Sequence, residues 1–177
     1  MKFDPKFIVK VAGTLTVISL VTAAVLGGVN AVTKDPIAAI NAQKTQDAMA
    51  AVVSDPTVFQ AVEAIPQEAV DAAASYGGTL TELYDGQGTG YVMKVVASGS
   101  QGSIEMMVGV DAEGAVTGVS VVDHAETSGI GTKVTGNEPL SSGVGVLDQF
   151  IGKSAADGTL TVGSNVVAIT GATVSTK

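Results

Sequence analysis

The chain has 177 residues and not one cysteine. That excludes disulfides, thiolate nucleophiles, cysteine-ligated zinc and iron–sulfur clusters together. A single histidine, His124, excludes a His-rich metal site. Redox chemistry in such a chain has to come from an organic cofactor. Tryptophan is absent and aromatics make up only 4%, so the core must be built from Val, Ile, Leu and Ala, which favour strands and close packing. Charged residues are scarce at 15% against 46% hydrophobic, which is too apolar for a disordered chain. The nine basic residues are scattered and the net charge is −8, so there is no basic patch for nucleic acid and none is expected as a partner. An acidic balance of this kind serves solubility.

Ionisable groups are absent altogether from Val11 to Val32. As a helix this run is about 33 Å long, close to the hydrocarbon thickness of a bilayer. Its polar residues are Thr14, Thr16, Ser19, Thr22 and Asn30, and the hydroxyls can bond back to their own helix. Val29-Asn30-Ala31 offers small residues for signal-peptide cleavage, but the apolar run exceeds the usual signal length, which favours an anchor. Lys2, Lys6 and Lys10 precede the run against Asp4, which places the N-terminus in the cytoplasm and the rest on the outer face of the cytoplasmic membrane. Beyond the run there are six lysines against 16 acids, so the outer part is acidic.

The remainder reads as one antiparallel α+β domain hung from a single span. The expected organisation is a cytoplasmic N-terminus at 1–10, a transmembrane helix at 11–32, a helical linker region at 33–76 and a ligand-binding domain at 77–177. Asp35-Pro36 suits a helix start, and residues 37–53 predict an amphipathic helix continuing from the membrane. Ser54-Asp55-Pro56 breaks it, and residues 57–75 predict a weaker helix interrupted at Pro66. Strands are expected at 91–97, 104–110 and 115–122, the last two joined by the Asp111-Ala112-Glu113-Gly114 turn. A short helix is expected at 147–151 and late strands at 160–162 and 166–169.

Two segments carry a resemblance. His124-Ala125-Glu126-Thr127-Ser128-Gly129-Ile130-Gly131 and Thr170-Gly171-Ala172-Thr173-Val174-Ser175 lie in this order about 40 residues apart. With the Gly88-Thr89-Gly90-Tyr91 segment and the hairpin from Val108 to Val122 before them, they resemble a shared FMN-binding domain. It occurs in the G subunit of the Rnf ferredoxin:NAD oxidoreductase and in the C subunit of the sodium-pumping NADH:quinone reductase. The short chain and single span look more like the Rnf protein. Taken alone, Thr170–Thr173 would pass for a strand end, Glu126–Gly131 for a glycine loop and Glu126 for a solvated acid; order and conjunction give them weight. Three positions depart from the family pattern: Ser128 for Pro, Ile130 for Leu, and Val167 where the flavin transferase favours Asp.

The resemblance implies FMN joined through its phosphate to Thr173. It also implies flavin contacts from Thr170, Gly171, Ala172, Glu126, Thr127, Gly129, Ile130 and Gly131. A phosphoester needs a hydroxyl, and the small Gly171 and Ala172 would let backbone and transferase come close, with free amides able to hold phosphate oxygens. No acid, base or nucleophile of the chain is then required. The implied role is a single-electron relay in a redox-driven ion-translocating complex, alongside membrane and iron–sulfur subunits and served by a flavin transferase during maturation. Two other readings remain open: a stand-alone membrane-tethered flavin carrier and an unflavinylated structural subunit.

Overall fold

A computed structural model of the protein describes residues 5–129 and 131–169. The chain divides into two units, Met1–Gln43 and Lys44–Lys177. The described residues of the first unit are helical. They belong to α1, Pro5–Val52, which is long and apolar enough to cross a membrane. Phe7, Leu15, Ile18, Leu20 and Leu26 are all exposed along it, as a lipid-facing helix requires. The hydroxyls of Thr14 and Thr16 donate to the carbonyls of Lys10 and Ala12, each at 2.9 Å, so these polar groups are satisfied within the span. No new helix begins at Asp35-Pro36; α1 runs through Pro36 without a break. Proline costs one backbone bond but its φ is already helical, and the alanine-rich sequence around it sustains the helix.

The second unit is built on a five-stranded antiparallel sheet in the order β1-β2-β3-β4-β5. The strands are β1 (Gln60–Ala61), β2 (Gly78–Asp85), β3 (Gly90–Ser98), β4 (Ser103–Asp111) and β5 (Val116–His124). The three expected strands are present, and the Gly114 N–H closes the expected turn on the Asp111 carbonyl at 3.1 Å. Helix α2 (Gln67–Ser75) precedes β2, and α3 (Thr132–Thr135) follows β5. The helix expected across 57–65 is replaced by a 3-10 turn, Pro56–Val58, and by β1. Phe59 is drawn against the core there, and Gln60 and Ala61 pair with Asp85 and Tyr84 at the sheet edge, so tertiary packing overrides the local preference. Strand β2 is hidden in the sequence because its register shifts between Leu80 and Glu82, which breaks the period-two pattern.

The sheet's two faces are occupied differently. On one, Ala48, Met49 and Val52 of α1 pack with Val92 and Met107 into a buried cluster, joined by Phe59, Tyr84 and Val122. Burial of each of the larger side chains stabilises by about 1.5–3 kcal/mol. The helix end sits close because Gly109 and Gly118 oppose each other across β4 and β5. A Cβ at Gly118 would lie 2.8 Å from the Val52 Cα, and one at Gly109 would lie 2.6 Å from the Val52 carbonyl oxygen. The Thr117 hydroxyl donates to that carbonyl at 2.6 Å, satisfying one of the acceptors orphaned at the helix end. Lys44 pairs with Asp123 at 2.9 Å, at the start of this packed stretch.

The same face carries an ion cluster. Lys94 on β3 lies 3.0 Å from Glu82 and 3.5 Å from Glu105, and Tyr84 donates to Glu82. Burial works to raise the Glu82 pKa, but the hydrogen bonds from Tyr84 and Lys94 and the ammonium charge outweigh it, so the carboxyl titrates below its usual range. Burial and the bond to Glu82 push the Tyr84 phenol up to about 12.

Gly118→Ala is expected to destabilise the protein by about 1–3 kcal/mol, the cost of overpacking, because backbone rather than a flexible side chain must give way. An unchanged denaturation midpoint would count against the close docking of the helix end. At Tyr84, the folded phenol keeps its proton beyond the ordinary value of 10.0, so the stability it lends is full below that pH and is lost as pH rises toward 12. A rapid-mixing absorbance titration should show a late phenolate step that Tyr84→Phe removes; the same late step in the variant would refute the assignment.

Candidate cofactor site

The alternation of β4 puts Ile104, Met106 and Val108 on the face opposite Met107. There they line an apolar cavity of about 320 Å³ with Val119 and Val121 of β5 and with Val134, Val146, Leu147 and Phe150. This volume lies within the range of small-molecule sites. The far wall comes from the segment after β5, which has little regular structure. Val134, Leu140, Val146 and Leu147 form its buried cluster, with Ile169 packed against it. The segment is tied down by backbone pairing of Gly152 and Lys153 with Val116 at 2.7 and 2.9 Å. The Asn137 side-chain oxygen accepts from the Leu147 N–H at 2.7 Å.

The sequence-predicted residues 126, 127, 129 and 131 lie on the loop that leaves β5. Glu126 is a buried acid, only 8% exposed. Its Oε1 accepts from the Gln101 N–H in the β3–β4 turn at 3.2 Å, and its own N–H donates to His124 Nδ1 at 3.2 Å. The carboxylate fills the space beside Gly99 and Gly131, where any Cβ would overlap it. Glu126 thus fastens the loop to the neighbouring hairpin. Thr127 is exposed; its carbonyl accepts from the Gly131 N–H at 3.1 Å, closing the turn. Gly129 is exposed with a φ of +81° and donates its N–H to the Thr132 hydroxyl at 2.8 Å, so the loop leads directly into α3. Ile130, Thr170, Gly171, Ala172 and Thr173 lie outside the described residues.

Two described neighbours of those residues meet in one place. Val134 of α3, shortly after the 126–131 loop, and Ile169, just before Thr170, both belong to the cluster that walls the cavity. The late strands expected at 160–162 and 166–169 are not formed. A single parallel bridge joins Val162 to Val166, and the intervening turn is held by the Asn165 side chain, which accepts from the Thr161 N–H at 2.7 Å. The turn between them is too short for a ladder to follow. The helix expected at 147–151 is a 3-10 turn, Asp148–Phe150. Its Gln149 side chain bonds the backbone of Val167.

Residues 99–177 match the FMN-binding domain family, and residues 1–52 match the RnfG N-terminal region, which ends with α1. The chain is 34% identical to the G subunit of the Na(+)-translocating ferredoxin:NAD(+) oxidoreductase complex of Acetobacterium woodii, across 100% of its own length and 88% of that protein. It is 31% identical to the G subunit of the ion-translocating oxidoreductase complex of Methanosarcina acetivorans, across 98% of this chain and 89% of that one. The chain belongs to the family of Rnf complex G subunits. A shorter match, 43% identity over 51 residues, links it to the G subunit of the Aliivibrio fischeri complex, covering 28% of this chain and 24% of that one.

The residues present fit a flavin. An apolar cavity of ligand size suits a planar aromatic ring system, and a hydroxyl-bearing run follows in sequence after Ile169, which packs against the cluster that walls it. Sequence reasoning missed the cavity itself, Gln149 and Asn137. The alternation Ile104-x-Met106-x-Val108 is the one signal that pointed to the cavity.

A role for Glu126 in fastening the loop is separable from a role in flavin contact alone. Glu126→Ala is expected to destabilise the flavin-free protein by about 1–3 kcal/mol, since it removes the acceptor of the Gln101 N–H and empties the space beside Gly99 and Gly131. Equal melting of the flavin-free wild type and variant would refute the fastening role.

Proposed function

We propose that the chain is the electron-relay subunit of a membrane-bound, ion-translocating ferredoxin:NAD oxidoreductase, carrying FMN as a phosphoester on Thr173. The observation that carries this is the conjunction of the FMN-binding domain match with the Thr170-Gly171-Ala172-Thr173 run, which follows in sequence directly after Ile169, a residue packed against the cluster that walls the apolar cavity. The full-length similarity to the G subunits of two ion-translocating complexes supports the assignment to such a complex.

When bound, FMN supplies reversible electron transfer in single steps. The chain's own residues supply position and surroundings. Met106, Val108, Leu147 and Phe150 offer the ring an apolar wall and keep water from it. Glu126 holds the 126–131 loop to the β3–β4 turn, and from that loop Thr127, Gly129, Ile130 and Gly131 would contact the flavin. Thr173 supplies the hydroxyl for the phosphoester, and the small Gly171 and Ala172 leave room for the transferase. A covalent tether retains the cofactor on the outer face, where free FMN is lost by dilution.

The apolar stretch of α1 serves as the single membrane anchor, with Lys2, Lys6 and Lys10 keeping the N-terminus cytoplasmic and the FMN domain outside. No charged residue lies between Val11 and Val32, so ion movement belongs to other membrane subunits, with iron–sulfur subunits as redox partners.

The test is in-gel flavin fluorescence after denaturation, with intact mass, on the chain produced together with its flavin transferase. One FMN per chain is expected, lost in Thr173→Ala. Unmodified wild type, or a Thr173→Ala variant that keeps its flavin, would overturn the attachment.

A further inference from the structure

The segment that leads to Thr173 belongs to no strand, yet its backbone is held. Gln149 does this. Its Oε1 accepts from the Val167 N–H at 2.8 Å, and its Nε2 donates to the Val167 carbonyl at 3.1 Å. The same Nε2 donates to the Val146 carbonyl at 2.7 Å, which anchors the amide to the buried cavity wall. One side chain thus gives Val167 both hydrogen bonds that a neighbouring strand would have given it. Both amide atoms and three backbone groups are satisfied at once. Only an amide can do so: a reversed amide, or a carboxylate, would face two carbonyls with an acceptor. On either side the chain is fixed by packing, with Val166 buried and Ile169 against the Val134 cluster, while Val167 itself stays 53% exposed.

We propose that Gln149 is a positioning residue for covalent flavin attachment, fixing the backbone at Val167 from which the Thr170–Thr173 run departs. This rests on the reading of Thr173 as the attachment point. In the attachment step the Thr173 hydroxyl oxygen forms a bond to the FMN phosphorus of a flavin dinucleotide. The pyrophosphate bond breaks, the nucleoside monophosphate leaves with the electron pair, and the hydroxyl proton passes to base or solvent. The flavin is neither oxidised nor reduced. A modifying enzyme has to seat this hydroxyl in line with the phosphorus. A substrate segment whose base is already ordered spares the enzyme that ordering. Because Val167 stays exposed, the clamp orders this backbone without burying it.

The experiment uses the full chain in detergent, purified free of flavin and then supplied with flavin transferase and FAD. The initial rate of covalent incorporation is read by fluorescence of the denatured chain and by intact mass. Gln149→Ala, which loses all three backbone hydrogen bonds, and the near-isosteric Gln149→Glu, which loses the two that Nε2 donates, are both expected to slow incorporation about tenfold or more. A role in packing alone would be met by the equal volume of the glutamate and would leave Gln149→Glu at the wild-type rate. Wild-type rates in the folded variants, judged by their melting curves, overturn the proposal. If neither variant folds, hydrogen exchange of the wild-type Val167 amide decides: protection supports the clamp, and exchange at the free rate overturns it. A wild type that takes up no flavin overturns the Thr173 reading instead, and the same exchange measurement then decides whether Gln149 holds Val167.

Discussion

The last turn of α1 meets the sheet backbone at a pair of opposed glycines, and the arrangement of the domain depends on that approach. Gly109 and Gly118 remove the side chains that would hold the helix away, and Val52 takes the space. With Thr117 satisfying the Val52 carbonyl and Lys44 paired to Asp123, the end of the helix becomes part of the core rather than a tether to it. Lys44 carries an exposed ion pair of little intrinsic strength; the apolar cluster around Met107 and Val92 supplies the larger share. Once the helix end covers this face, the other face is left for a ligand. The two-residue period of β4 therefore divides labour within one strand: Met107 toward the helix, Met106 and Val108 toward the cavity.

The cavity face is closed by a different kind of structure. After β5 the described chain has one short helix and three-residue turns, and its order comes from side chains bonded to backbone, two of them across the segment, Asn137 to Leu147 and Gln149 to Val167, and one within a turn, Asn165 to Thr161. Glu126 does the same for the loop before α3. Each such bond is modest, about 1 kcal/mol net, but each also gives a backbone group the partner that irregular structure denies it. Small residues make this possible, because Gly99 and Gly131 leave the volume that the Glu126 carboxylate occupies.

These two kinds of order explain which parts of the molecule were legible in the sequence. β3, β4 and β5 announce themselves, since apolar alternation and an Asp-to-Gly turn are local signals. β2 does not, because the bulge near Thr81 switches faces mid-strand, and β1 is recruited by the sheet edge against its own helical reading. The start signal at Asp35-Pro36 is overruled by the helix formers around it. Within the site, Glu126 and its glycines stand out as a motif, but the motif names the residues and not their job: the carboxylate is turned into the protein and holds a backbone amide. Asn137 and Gln149 carry no signal at all, because their partners lie 10 and 18 residues away in a segment without period.

Such clamps suit the modification proposed for Thr173. A strand ladder orders a backbone by committing both of its edges, and it fixes alternate side chains against a core. A single glutamine orders Val167 from one side and leaves its side chain exposed. The chain then enters its hydroxyl-bearing run from a defined starting point. The order lies on the described side of Ile169, and the chemistry proposed for Thr173 lies beyond it. That division suits the proposed role, in which the chain contributes no reacting group but one threonine and otherwise holds the cofactor still.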